Sequence, residues 1–173
     1  MAAVDMAAAA ALVTVAGMWD FVHSFNGRLG VPHVRTVLSH ATDGSRSPQE
    51  TRLRLIWTMD AGLPNPLCNV PIFGLDGSFL AIPDIFDPEA GVVGEYDGAH
   101  HLTHDQRRTD RAREELLRDH GLEYFAVVRG DFADTARVVQ RMHATRRRAR
   151  WLPPDQRRWT LDVPGWWGAR RSR

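Results

Sequence analysis

One stretch limits the fold more than any other: residues 82–101, IPDIFDPEAGVVGEYDGAHH. Ile82, Ile85, Phe86, Val92, Val93 and Tyr96 suit a pleated, half-buried surface, yet Asp84, Glu95 and Asp97 are set among them. Burying an unpaired carboxylate is expensive. A chain that writes acids into its strands must hold them at an edge or neutralise them. Side chains alternate along a strand, so Val93, Glu95 and Asp97 share one face. Asp84 follows Pro83, which cannot donate to a ladder and belongs at an edge, a bulge or a strand end. If the two strands pair, three carboxylates converge at one end of a sheet.

Like charges that close stay ionised only with a cation between them. Oxygen ligands of this kind suit magnesium or manganese rather than zinc. His100 and His101 follow beyond Gly98, where an imidazole can take a proton from a nearby water. The same residues also have an ordinary reading as edge-strand acids. Asp97-Gly98 and Asp87-Pro88 are routine turns, Glu50 can simply cap a helix, and His104 with one of the His100–His101 pair can face solvent.

The surrounding sequence predicts one core over 47–150. Ser47, Pro48 and Glu50 give an N-cap, a first-turn proline and a capping-box acid. Leu53, Ile56 and Trp57 mark one helical face, and Gly62 with Pro64 stops the helix. LCNVPIF reads as a short strand, GLDGS as a turn, FLAIPDIF as a second strand and GVVGEYD as a third. A charged helix spans 105–120 and ends at Gly121. LEYFAVVRG is a buried strand, and 132–149 a closing helix. The order α-β-β-β-α-β-α predicts an α/β fold with a mixed central sheet flanked by helices. Residues 1–46 read as an N-terminal helical segment, the remnant of an upstream domain, and 151–173 as an arginine- and tryptophan-rich tail.

A chain of 173 residues buries one sizeable core. The single cysteine, Cys68, excludes a disulfide framework and fits a reducing cytoplasm. The alanine-rich start is too short to span a bilayer and has no basic n-region, so no membrane partner is expected. All 22 basic residues are arginine. They are segregated: none falls between Leu55 and Gln106, and twelve lie from Arg129 onward. An acidic patch beside a basic one suits a metal site next to a polyanion, and equally a solvated surface with a charged tail.

The segments SPQETRLR, AGLPNP, PDIFDPEAGVVGEYDGAHH and TDRAREELLRDHGLEYFAVVRGDF resemble, in order and spacing, the very-short-patch-repair endonuclease-like domain. That domain belongs to the restriction-endonuclease-like superfamily named for its PD-(D/E)xK motif. Similar domains occur C-terminally in actinobacterial proteins related to abortive-infection type IV antitoxins. The resemblance runs from about Ser47 to Arg147 and implies a restriction-endonuclease-like core. It places Asp84 as the motif aspartate and metal ligand, and Glu95 as the second acid. Asp97 stands where the family usually has lysine, and no lysine exists elsewhere in the chain. His101 matches a histidine that the repair-endonuclease branch uses near the attacking water. Glu50 resembles the first-helix acid that helps hold the metal.

The implied activity is magnesium- or manganese-dependent hydrolysis of phosphodiester bonds in DNA, with Asp84, Glu95, Asp97 and His101 as catalytic residues. Asp84, Glu95 and Glu50 would hold the metal. Arg113 and Arg129 read as scaffold or phosphate contacts, and Arg146, Arg147, Arg148 and Arg150 as phosphate-backbone contacts. Trp151, Trp159, Trp166 and Trp167 could stack on unpaired bases, with burial the stronger expectation for Trp151. Two alternatives stand beside the enzyme: a nuclease-fold DNA-binding or regulatory module that cleaves nothing, and a pure interaction domain.

Overall fold

The computed structural model describes residues 1–25, 27–98 and 104–171, the side chains of 104–110 and 169–171 excepted. The core opens where the caps place it. Helix α4 (Pro48–Leu55) starts at Ser47, whose side chain accepts from the Glu50 N–H. It runs on through a π turn, Ile56–Asp60, and stops before Gly62 at φ +61°. The Glu50 carboxylate reaches back to the Arg46 N–H (2.7 Å), one residue before the usual capping-box donor.

Strands β1 (Ile72–Gly74) and β2 (Phe79–Ala81) form a hairpin, its turn tied by the Asp76 carboxylate accepting from the Ser78 N–H at 2.9 Å. Strand β3 (Ile85–Asp87) then pairs antiparallel with β4 (Val92–Asp97). Helix α5 (His104–Asp119) crosses over to β5 (Glu123–Val128), which lies parallel to β4. Helix α6 (Thr135–Arg148), β6 (Trp159–Thr160) and α7 (Gly165–Arg171) complete the chain.

These strands form two three-stranded sheets, β3-β4-β5 and β2-β1-β6. The segment FLAIPDIF, expected as one strand, is therefore two strands in different sheets. The break falls at Ile82–Asp84, where Pro83 has no N–H for a ladder and its carbonyl instead accepts from the Asn69 N–H at 3.0 Å. The core order becomes α-β-β-β-β-α-β-α. The chain is mixed α/β, with β3-β4-β5 as its mixed sheet.

Alternation along β4 divides the core. Val92 packs with Leu53 of α4, Ile56 and Trp57 of the π turn that follows it, and Val138 and Met142 of α6. Val93 faces the other way, with Phe86, Leu117 of α5, Leu122, and Ile72, Leu80 and Trp159 of the second sheet. Burial of each such side chain contributes on the order of 1.5–3 kcal/mol. Gly94 is required here: a Cβ would meet the Phe125 ring at 2.5 Å and Ile85 at 2.8 Å. Its absence lets Phe125 lie parallel to Trp57 (centroids 6.0 Å apart, 5° between planes).

Both ends of the chain join this body. On α1 (Ala2–Ala9), fully buried Asp5 accepts from Arg54 (2.8 Å), the Thr51 hydroxyl (2.8 Å) and the Thr42 N–H (3.0 Å). The N-terminal segment, read as the remnant of an upstream domain, is thus tied to α4 by a buried ion pair. Helices α2 (Val15–His23) and α3 (Val31–Ser39) pair with each other. At the other end β6 pairs antiparallel with β1. Trp159 is buried against Phe86, and Trp167 stacks on Phe79 (5.0 Å, 16°). The expectation of four base-stacking tryptophans is corrected accordingly: Trp159 belongs to the core, while Trp151, for which burial was favoured, is 42% exposed. No described helix is long and apolar enough to cross a membrane.

Candidate functional site

The β3–β4 register pairs Ile85 with Gly94, and Asp84, the residue before β3, is bonded to the next residues of β4 through the Tyr96 N–H. In the parallel pair, Glu95 lies beside Ala126 and Asp97 beside Val128. The acids therefore gather at the C-terminal edge of the parallel strands, where open α/β sheets commonly bind ligands. Glu95 and Asp97 share the face of Val93, as alternation predicts, and both are half-buried.

Arg113 of α5 forms an ion pair with Glu95, and the Tyr124 hydroxyl approaches its other oxygen at 3.4 Å. Arg113 thus supplies at Glu95 the positive charge that the spacing argument assigns to a cation. Asp84 is treated differently. One of its oxygens accepts from the Tyr96 N–H at 2.7 Å, and its other oxygen has no hydrogen-bond donor among the described residues. Desolvation pushes its pKa up to about 6; Glu50 pushes the same way, while the Tyr96 N–H, Arg113 and Arg46 oppose it. Asp84 therefore feels α4 through Glu50, the residue before its cap through Arg46, and α5 through Arg113.

Asn69 was missed in the sequence. Its side-chain amide donates to Glu50 (2.7 Å) and to the Gly44 carbonyl (2.8 Å), and its own N–H bonds Pro83 beside Asp84. It does so at φ +53°, a left-handed conformation that asparagine tolerates better than most residues. Its place in NPLCNVP is the available signal, an asparagine in a proline-rich turn.

Among the described residues no group of three or more His, Cys, Asp or Glu side chains stands ready to hold a metal ion. The donor types at Asp84, Glu95 and Glu50 suit a hard cation, but each is already engaged by the protein. His100 and His101, the expected proton-transfer residues, lie outside the described residues. Burial raises the Cys68 thiol pKa to about 11, which disfavours its thiolate at neutral pH.

The arginines divide between two edges. Arg146 bonds Asp87 (2.9 Å) and Glu89 (3.3 Å) and lies over the Trp151 ring at 4.3 Å. Arg148 pairs with Glu123 at 3.5 Å. Asp87 sits opposite Val92 at the start of β4, and Glu123 begins β5, so this is the edge away from Asp84. Arg146 and Arg148, expected as phosphate contacts, form intramolecular ion pairs at this edge, and Arg147 and Arg150 lie at the same distant end. Arg129 directly follows β5, at its carboxylate end.

A scan against protein-family models finds no match, and searches of curated proteins and of solved structures return no significant match.

Proposed function

We propose that this chain is a metal-dependent DNA endonuclease with a restriction-endonuclease-like core, similar to the very-short-patch-repair type. The observation that supports it best is Asp84: a partly buried acid bonded to β4 at Tyr96 and near Glu50, left with one hydrogen bond and a pKa raised to about 6. A cation relieves such an arrangement. Asp84, Glu95 and Glu50 would hold magnesium or manganese, which when bound polarises a phosphate oxygen and makes a bound water more acidic. The Tyr96 amide orients Asp84, Asn69 orients Glu50, and Arg113 orients Glu95. Asp97 takes the position of the family's lysine, which leaves proton transfer to His101. Activity on DNA would place the protein in the cytoplasm.

One observation favours the second reading, a nuclease-fold DNA-binding or regulatory module. Glu95 already has its counter-ion in Arg113, so its charge is balanced without a metal. Nicking of supercoiled DNA with magnesium, manganese or EDTA separates the two. The enzyme reading expects metal-dependent nicking that falls about 100-fold or more in Asp84→Asn, the scale of several kcal/mol of lost charge stabilisation. DNA binding without nicking under either metal would make the regulatory module the better account.

A further inference from the structure

The carboxylate edge carries a second feature that the proposed hydrolysis leaves unused. Between the first turn of α4 and the 3-10 turn Arg129–Ala133 lies a cavity of about 560 Å³, bordered by Gln49, Arg52, Tyr96, Arg129 and Phe132. No acidic residue among the described residues lines it. The nearest acid in that turn, Asp131, is already taken by Arg141 (2.7 Å) and the Val128 N–H (3.1 Å).

Its two arginines stand apart from most others in the body of the protein. Arg54, Arg113, Arg141, Arg146 and Arg148 each have a carboxylate partner. Arg52 has none among the described residues. Its guanidinium lies over the Phe132 ring at 4.4 Å and donates once, to the Phe132 carbonyl at 3.0 Å. Those contacts fix its position without neutralising it. Arg129 is exposed and has no hydrogen bond or ion pair among the described residues. Tyr96 joins the cavity to the acids: its ring stacks on Phe132 (5.4 Å, 8°) while its N–H holds Asp84.

Two guanidinium groups without a carboxylate partner among the described residues, one of them held in place, suit a tetrahedral oxyanion, because their forked donors match phosphate oxygens. The positive end of the α4 helix adds to the same field. We propose that this cavity binds a phosphate of a nucleic-acid strand through Arg52 and Arg129, one step along the backbone from the phosphodiester at Asp84. The inference rests on the reading of the chain as a DNA-acting domain, but not on its cleaving anything.

The test is therefore a binding measurement on the full chain in EDTA, where no cleavage can occur. The probes are a fluorescent 20-base-pair duplex titrated across salt concentrations and, separately, inorganic phosphate followed by thermal shift. Relative to wild type, Arg52→Gln/Arg129→Gln should bind the duplex at least tenfold more weakly, and its salt slope should flatten by about 2, roughly one per lost phosphate contact. Arg118→Gln, at the far end of α5, should leave both unchanged. If the double variant folds poorly, Arg129→Gln, which removes no bond within the described fold, should still flatten the slope by about 1. Equal affinity and slope in wild type and variant would overturn the proposal. Stabilisation by phosphate without duplex binding would replace the nucleic-acid strand with a free phosphate. No response to either probe would overturn the cavity as an anion site. Binding as proposed without metal-dependent nicking would overturn only the endonuclease reading.

Discussion

Asp84 and Asp87 bracket the same three-residue strand and end in opposite states. Asp87 is nearly inaccessible, yet its carboxylate accepts from the Glu89 N–H (3.0 Å), the Ala90 N–H (3.3 Å) and Arg146 (2.9 Å). Asp84 is less buried, but it has one backbone donor, an acidic neighbour and a raised pKa. The comparison separates two uses of a buried acid. A carboxylate with several donors and a fixed counter-ion organises the chain, whereas one whose charge is left poorly compensated is available for a proton, a cation or a reaction.

The largest effect that tests this contrast is expected at Arg146. Arg146→Ala leaves the Asp87 carboxylate, 3% exposed, without its counter-ion. Removing one partner of a buried pair typically costs about 3 to 5 kcal/mol. Denaturant unfolding should show a loss of that order, with the slope unchanged. A loss below about 1 kcal/mol would mean that the turn amides alone satisfy Asp87, and the two ends of β3 would no longer differ in kind.

The next effect has the opposite sign. The Asp84 pKa rises from 3.8 to about 6 on folding, so the folded chain binds its proton more tightly than the unfolded chain. The stability this contributes is fully present below about pH 4 and is lost as the pH rises through about 6. Above that, the ionised group opposes the fold. A shift of this size corresponds to roughly 3 kcal/mol, reduced here because the carboxylate is partly open to solvent. Asp84→Asn keeps an oxygen for the Tyr96 N–H and removes the charge. It should stabilise the protein by about 1–2 kcal/mol at pH 8 and by nothing at pH 4. Asp87→Asn should destabilise at pH 8. Matching signs for the two substitutions would break the comparison.

What the sequence could and could not say follows from range. The Ser47 cap, the Gly121 stop and the shared face of Val93, Glu95 and Asp97 are local, and each is written within a few residues. The antiparallel pairing of β3 with β4 was also legible, because a short turn joins the two strands. Partners far along the chain were not. Arg146 meets Asp87 across 59 positions and Arg54 meets Asp5 across 49, and nothing in the run RRRAR distinguishes a clamped arginine from a solvated one. The split of FLAIPDIF was half legible. Pro83 announces a break, but the change of sheet depends on Asn69 capturing its carbonyl. The metal argument was incomplete for the same reason: it weighed the acids of one segment without Arg113 of the next helix.

The smallest expected effect decides which edge meets DNA. Arg147 and Arg150 are exposed on the Asp87 side, and neither has a hydrogen bond or ion pair among the described residues. Arg147→Ala should change stability by no more than about 0.5 kcal/mol, as for surface positions generally. Its value lies in the salt dependence. If a strand lies along the carboxylate edge, Arg147 stays clear of it and the slope of log K against log salt does not move. If DNA crosses the Asp87 edge instead, each lost contact removes about one unit of slope. Long-range attraction does not blur this result, since at physiological salt the screening length is about 8 Å, shorter than a six-residue strand at roughly 3.3 Å per residue. A slope reduced by one unit in Arg147→Ala, with Arg129→Ala unchanged, would move the binding surface to the end of the sheet where the acids are already spoken for, and would leave Asp84 without a substrate.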